Sequence, residues 1–185
     1  MDFTADLVPP LFAAAEITEP HVADWVAAVL DGGHARLLLL GPSFCGKSHN
    51  AYAAVRRLLL AGYRAEQIAV HRALDLGRTY RPDLIRDDPP VIILDDVTIG
   101  VDIAEGISVP LVPDRPDVEA MMAVRNAAIA DAAHRLATRP NTSWILCASG
   151  IPQMIRALGQ DTTDVINTLA DIVVLPERPQ PRPTW

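Results

Sequence analysis

Apolar residues fall into two alternating patterns along the chain. From Thr18-Glu19-Pro20, the residues Val22, Trp25, Val26, Val29 and Leu30 recur at helical spacing until Gly32-Gly33, which predicts a capped amphipathic helix. RLLLL at 36–40 is short and continuously apolar, as expected of a strand buried on both faces. A loop over Gly41–Gly46 follows. Ala51, Ala54, Val55, Leu58 and Leu59 then place a helix from Lys47 to about Gly62.

Residues 67–70 form a weak strand candidate, and residues 71–90 are an Arg-bearing, Pro-punctuated stretch expected to be mainly helix and loop. VIILDD at 91–96 is a second apolar run, closed by two carboxylates, and it predicts a central strand. The pattern breaks over 97–116, where Gly100, Gly106, Pro110, Pro113 and Pro116 point to a long loop or hairpin. Helical spacing returns from Val118 to Leu136. Residues 144–147 form a third buried strand, 152–158 and 164–170 short helices, and 172–175 a last strand. PERPQPRPTW favours an extended tail.

Strands alternating with helices over 36–175 imply an α/β three-layer sandwich around a mainly parallel sheet of about five strands. The expected organisation is an N-terminal segment (1–34) whose amphipathic helix packs on the core, one domain over 35–175, and a Pro-rich tail (176–185). The length, 185 residues with 50% apolar, suits a single domain.

Composition adds one feature. The 16 basic side chains comprise fifteen Arg and one Lys, Lys47, and the net charge is −7. That charge repels a phosphate backbone, so nucleic acid is not the expected partner. Asp2 and Asp6 stand where a signal peptide carries positive charge, and no apolar run reaches about 20 residues, so a cytoplasmic protein with no membrane partner is expected. Cys45 and Cys147 form neither a disulfide framework nor a CxxC pair. If the strand at 144–147 lies beside the first one, the two thiols approach each other, and a redox pair or two unrelated buried thiols would both fit.

The lone lysine lies in GPSFCGKS, Gly41-Pro42-Ser43-Phe44-Cys45-Gly46-Lys47-Ser48, which matches GxxxxGK[ST] directly between an apolar strand and a helix. The glycines permit positive φ and close approach of the main chain to phosphate. Backbone N–H groups and the helix N-terminus supply an anion site. Lys47 is expected to bridge the β- and γ-phosphates, and Ser48 to hold Mg²⁺. A slender ammonium suits this loop where a planar guanidinium does not.

These residues resemble the motif of the P-loop NTPase superfamily, and the likeness extends loosely over 36–175. VIILDD resembles that superfamily's Walker B strand. By this resemblance Asp95 binds Mg²⁺ through water, and Asp96 takes the place of the carboxylate that orients or deprotonates the nucleophile, where many members have Glu. Ser149, in the CASG that ends the third strand, is the candidate γ-phosphate sensor; an ordinary strand-end turn is the alternative.

The resemblance implies a protein that binds ATP with Mg²⁺, and an ATPase is the first expectation, with Lys47, Asp96 and Ser149 as catalytic residues. The LDD ending is similar to that of helicase-loader and transposition-helper ATPases of the AAA+ type, although only ten residues follow Leu175, too few for a helical lid. Residues 124–137 with SWILCASG resemble instead the second half of small kinase-like P-loop proteins. In that case Arg72, Arg78, Arg81 and Arg86 would neutralise an anionic acceptor, unless they form a solvated face paired with neighbouring Asp residues. A third expectation is an ATP-dependent interaction module that meets a protein partner through 97–116 or the tail. A 143–148 strand inserted between 36–40 and 91–95 favours the ATPase; direct neighbours favour the kinase.

Overall fold

In the computed structural model the described residues are 7–72, 89–104 and 117–177. Helix α1 (Pro20–Leu30) leads to β1 (Arg36–Leu40), α2 (Lys47–Leu60) and β2 (Ile68–Arg72). Strand β3 (Val91–Asp95) is followed by α3 (Ile99–Ala104) and α4 (Asp117–Ala137), then by β4 (Ser143–Ala148), α5 (Ile151–Leu158), α6 (Gln160–Leu169) and β5 (Asp171–Val174). Pro10–Phe12 and Ala65–Gln67 are short 3₁₀ turns.

The sheet has five strands, all paired parallel, in the order β2-β3-β4-β1-β5. It is the α/β sandwich expected from the alternating runs. Side chains alternate across a strand, so RLLLL feeds two cores at once. Leu38 and Leu40 join Ile92, Leu94, Trp144 and Leu146 beneath α4, α5 and α6. Leu37 and Leu39 join Ile93, Ile145 and Cys147 beneath α1 and α2. Each fully buried leucine contributes about 2 kcal/mol of transfer free energy, which explains why β1 tolerates no polar position between Leu37 and Leu40.

Three boundaries depart from the sequence expectation. Residues 99–104 are helical rather than part of a loop: Ile99 and Val101 pack on the apolar core, and the Thr98 carbonyl accepts from the Asp102 N–H at 2.9 Å. Strand β2 runs to Arg72, because His71 and Arg72 stay in register with Leu94 and Asp95. Helix α6 begins at Gln160, four residues before the apolar pattern announces it. Residues 105–116 of the expected loop, the arginines Arg78, Arg81 and Arg86, and the tail beyond Glu177 lie outside the described residues. Among the described residues no helix is long and apolar enough to cross a membrane.

Strand β4 lies between β1 and β3, with Leu39 opposite Cys147 and Ile93 opposite Ile145. The C-terminal ends of β1, β3 and β4 therefore open side by side. Crevices at such strand ends are where open α/β sheets bind ligands.

Candidate functional site

The loop Gly41–Gly46 leaves β1 and turns into α2. Gly41 has φ 150°, and a Cβ there would come within 2.6 Å of the Leu175 carbonyl oxygen and 2.7 Å of Cys45 Sγ. Gly46, the residue before α2, has φ 108°. Phe44 also adopts a left-handed conformation, φ 64°, with its ring 83% exposed. Pro42 and Ser43 are exposed beside it. Among the described residues, no group accepts from the backbone N–H of Ser43, Phe44, Gly46, Lys47 or Ser48.

Lys47 is buried, and its Nζ donates to Gly41 O at 2.6 Å and Pro42 O at 2.8 Å, with Cys45 Sγ at 3.8 Å. An ammonium thus lies inside the loop held only by neutral acceptors. Ser48 Oγ donates to Asp95 Oδ1 at 3.0 Å. Asp95 is 2% exposed, and its carboxyl is pushed up to about 6 by burial and by the neighbouring Asp96. Ser48, the Cys147 thiol and Arg72 oppose the rise.

Asp96 is half-buried and takes φ 59°. Burial raises its pKa, Lys47 and Arg72 act against the rise, and Asp102 adds to it. The guanidinium of Arg72, exposed at the end of β2, is therefore felt by both carboxylates. It is the one member of the expected arginine cluster among the described residues.

The geometry fits a phosphate chain and a divalent cation. Among the described residues, the loop combines N–H donors that no group accepts from with a buried ammonium that has no anionic partner bonded to it. Beside them a hydroxyl and a buried carboxylate share one hydrogen bond, an oxygen pair of the kind that hard cations take.

Ser149 is brought to the same edge of the sheet, directly after β4. Its Oγ donates to Asp102 Oδ1 at 2.7 Å, and its N–H donates to Thr98 Oγ1 at 3.0 Å. Thr98 Oγ1 donates in turn to Asp102 Oδ2 at 3.0 Å. Thr98 and Asp102 escaped the sequence reading; the signal was the i, i+4 spacing of a hydroxyl and a carboxylate across a helix start.

A third missed residue is Asn50. Its Oδ1 accepts from Thr18 N at 2.9 Å and Glu19 N at 3.0 Å, while its Nδ2 donates to Gly46 O at 3.0 Å. His49 Nε2 lies 2.9 Å from Glu16 O. Both residues tie the N-terminal segment to the start of α2. Cys45 and Cys147 are both free and buried; the Cys147 thiol bonds Asp95, and burial raises its pKa well above the usual range.

No protein-family profile and no curated protein matches this chain. Solved structures do resemble it. The replication initiator DnaA bound to AMPPCP and single-stranded DNA aligns with a TM-score of 0.55 and 16% identity, over 91% of this chain and 50% of that one. AMPPCP-bound DnaA from Aquifex aeolicus gives 0.51 and 13%, over 84% and 44%. The fold, a parallel five-stranded sheet with helices, is like that of these DnaA structures and of DnaC. The DnaC helicase loader aligns with a TM-score of 0.51 and 13% identity, over 90% of this chain and 99% of that one. The chain thus spans about half the length of the DnaA structures and nearly the whole of DnaC.

Proposed function

We propose that the chain is an Mg-dependent ATPase in which water accepts the γ-phosphoryl group. The observation that carries this reading is the strand order: β4 separates β1 from β3, the arrangement expected of the ATPase class and not of the kinase class. The AMPPCP bound by the DnaA neighbours supports ATP as the nucleotide.

In this reading residues 35–175 form the catalytic domain, and the amphipathic helix of the N-terminal segment (1–34) packs on its core. The N–H groups of Ser43, Phe44, Gly46, Lys47 and Ser48 surround the phosphates, and Lys47 exchanges its loop carbonyls for phosphate oxygens. Ser48 and, through water, Asp95 would hold Mg²⁺, which would supply charge neutralisation at the phosphate oxygens. Asp96 orients the attacking water and takes its proton as the oxygen–phosphorus bond forms and the bond to ADP breaks. Burial, which raises the pKa of Asp96, makes it a better proton acceptor than an exposed carboxylate.

The deciding measurement is product analysis with Mg-ATP. Phosphate released without an added acceptor supports the ATPase. Turnover that requires a small hydroxyl or phosphate acceptor replaces it with the kinase, and bound ATP without turnover replaces it with the interaction module. Lys47→Ala is expected to lose nucleotide binding, and a variant that binds ATP as the wild type does overturns the assignment of the loop.

A further inference from the structure

Ser149 stands between the two halves of the site. On one side the Gly41 N–H donates to Ala148 O at 3.2 Å, tying the end of β4 to the phosphate loop. On the other the Val97 N–H donates to Cys147 O at 3.0 Å, tying it to the turn that carries Asp96. A side chain at this point can reach toward the phosphates or toward α3. The Ser149 hydroxyl faces α3.

Its proton is already committed. A carboxylate only accepts, so the single proton of Ser149 Oγ is directed at Asp102 Oδ1 at 2.7 Å, and the single proton of Thr98 Oγ1 is shared between Asp102 Oδ2 at 3.0 Å and Ser149 Oγ at 2.8 Å. The two hydroxyl oxygens are also within hydrogen-bond distance of each other, 2.8 Å, so with Ser149 donating to Asp102 its oxygen can only accept from Thr98. Thr98 is 1% and Asp102 6% exposed, so water cannot readily replace a lost donor. In this arrangement Ser149 Oγ has only lone pairs left for a phosphate, and phosphate oxygens are acceptors too.

We infer that Asp102 is a positioning residue that competes with the γ-phosphate for the Ser149 proton, so that α3 registers whether the γ-phosphate is present. When the hydroxyl turns to the phosphate, Asp102 loses its shorter hydrogen bond and keeps only that of Thr98. Asp102 lies on α3, and α3 packs on α5 and α4. The released helix is the element through which nucleotide state passes to the rest of the molecule. ADP, which has no γ-phosphate, leaves the Ser149–Asp102 bond intact. The inference rests on the ATP-binding reading and adds to it a linkage between the γ-phosphate and one helix. Such linkages commonly amount to about 5- to 150-fold in affinity.

The test compares Mg-ADP with Mg-β,γ-methylene ATP on the full chain, by calorimetric affinity and by hydrogen exchange of the peptide covering 97–104. In the wild type the methylene analogue should raise exchange in that peptide and ADP should not. Asp102→Asn retains one acceptor and removes the competing charge, so the analogue should bind about 10-fold tighter while ADP stays within about two-fold. On a Ser149→Ala background the same substitution should leave the analogue-to-ADP affinity ratio unchanged, and a ratio that moves with Ser149 present but not without it is what a purely structural role for Asp102 would not produce. Equal exchange with both ligands, or an unchanged ratio in Asp102→Asn, overturns the inference while ADP binding preserves the nucleotide reading. If neither nucleotide binds the wild type, both fall together. The exchange comparison needs no variant, so misfolding of a mutant leaves it decisive.

Discussion

The Ser48 hydroxyl donates to the Asp95 carboxylate at 3.0 Å, joining the start of α2 to the end of β3 across 47 residues of sequence. A buried acid is here held by a single hydroxyl and a thiol, with a second acid beside it. Nothing bonded to it carries positive charge.

That environment makes stability depend on pH. The folded-state pKa of Asp95, about 6, lies above its usual 3.8, so the nucleotide-free native state binds the extra proton between these values. Stability should fall as pH rises through that window and level off above it, by roughly 2–3 kcal/mol from this group. Asp96 shifts in the same direction and adds to the slope. Asp95→Asn should flatten the profile and stabilise the protein at neutral pH. Chemical denaturation of both proteins between pH 4 and 7 without nucleotide measures this, and parallel profiles would count against it.

Two loop residues with positive φ should respond in opposite ways. At Gly41 a methyl group meets the Leu175 carbonyl at 2.6 Å, so Gly41→Ala should cost about 2 kcal/mol or more, with a lower Tm. Phe44 bears the left-handed conformation with an exposed ring, so no burial is lost on its removal. Phe44→Gly should be neutral to stabilising by about 1 kcal/mol, the relief of the strain less the added freedom of the unfolded chain. A clear loss of stability would mean that the ring has a packing role.

Asn50 joins the N-terminal segment to the loop that precedes α2. Asn50→Ala leaves the Thr18 and Glu19 N–H groups without their acceptor, which should cost about 2–4 kcal/mol. Limited proteolysis should then cut within 7–19 ahead of the core. Asn50→Asp keeps the acceptor but loses the donor to Gly46 O, so it should fall between the two.

Arg72 lies in register with Asp95 and lowers the pKa of both carboxylates. Its loss should raise both values. The acidic limb of the turnover profile in Arg72→Ala should therefore move to higher pH, with ADP affinity nearly unchanged. An unmoved limb would show that the guanidinium is screened by solvent.

The sequence by itself determined the parts that rest on local chemistry. GPSFCGKS between an apolar run and a helical pattern located the glycine-bearing loop between β1 and α2, because positive φ and an unpaired helix start require particular residues at particular spacings. VIILDD likewise placed Asp95 and Asp96 at a strand end. Only the tertiary structure decided that β4 separates β1 from β3, since successive parallel strands joined by crossover helices can be ordered in several ways without changing any local preference. It also decided that Thr98, Asp102 and Ser149 share two protons, and that Asn50 reaches back to Thr18. Hydroxyls, amides and carboxylates have no periodicity that announces a partner, and their bonds depend on which strand ends the sheet brings together.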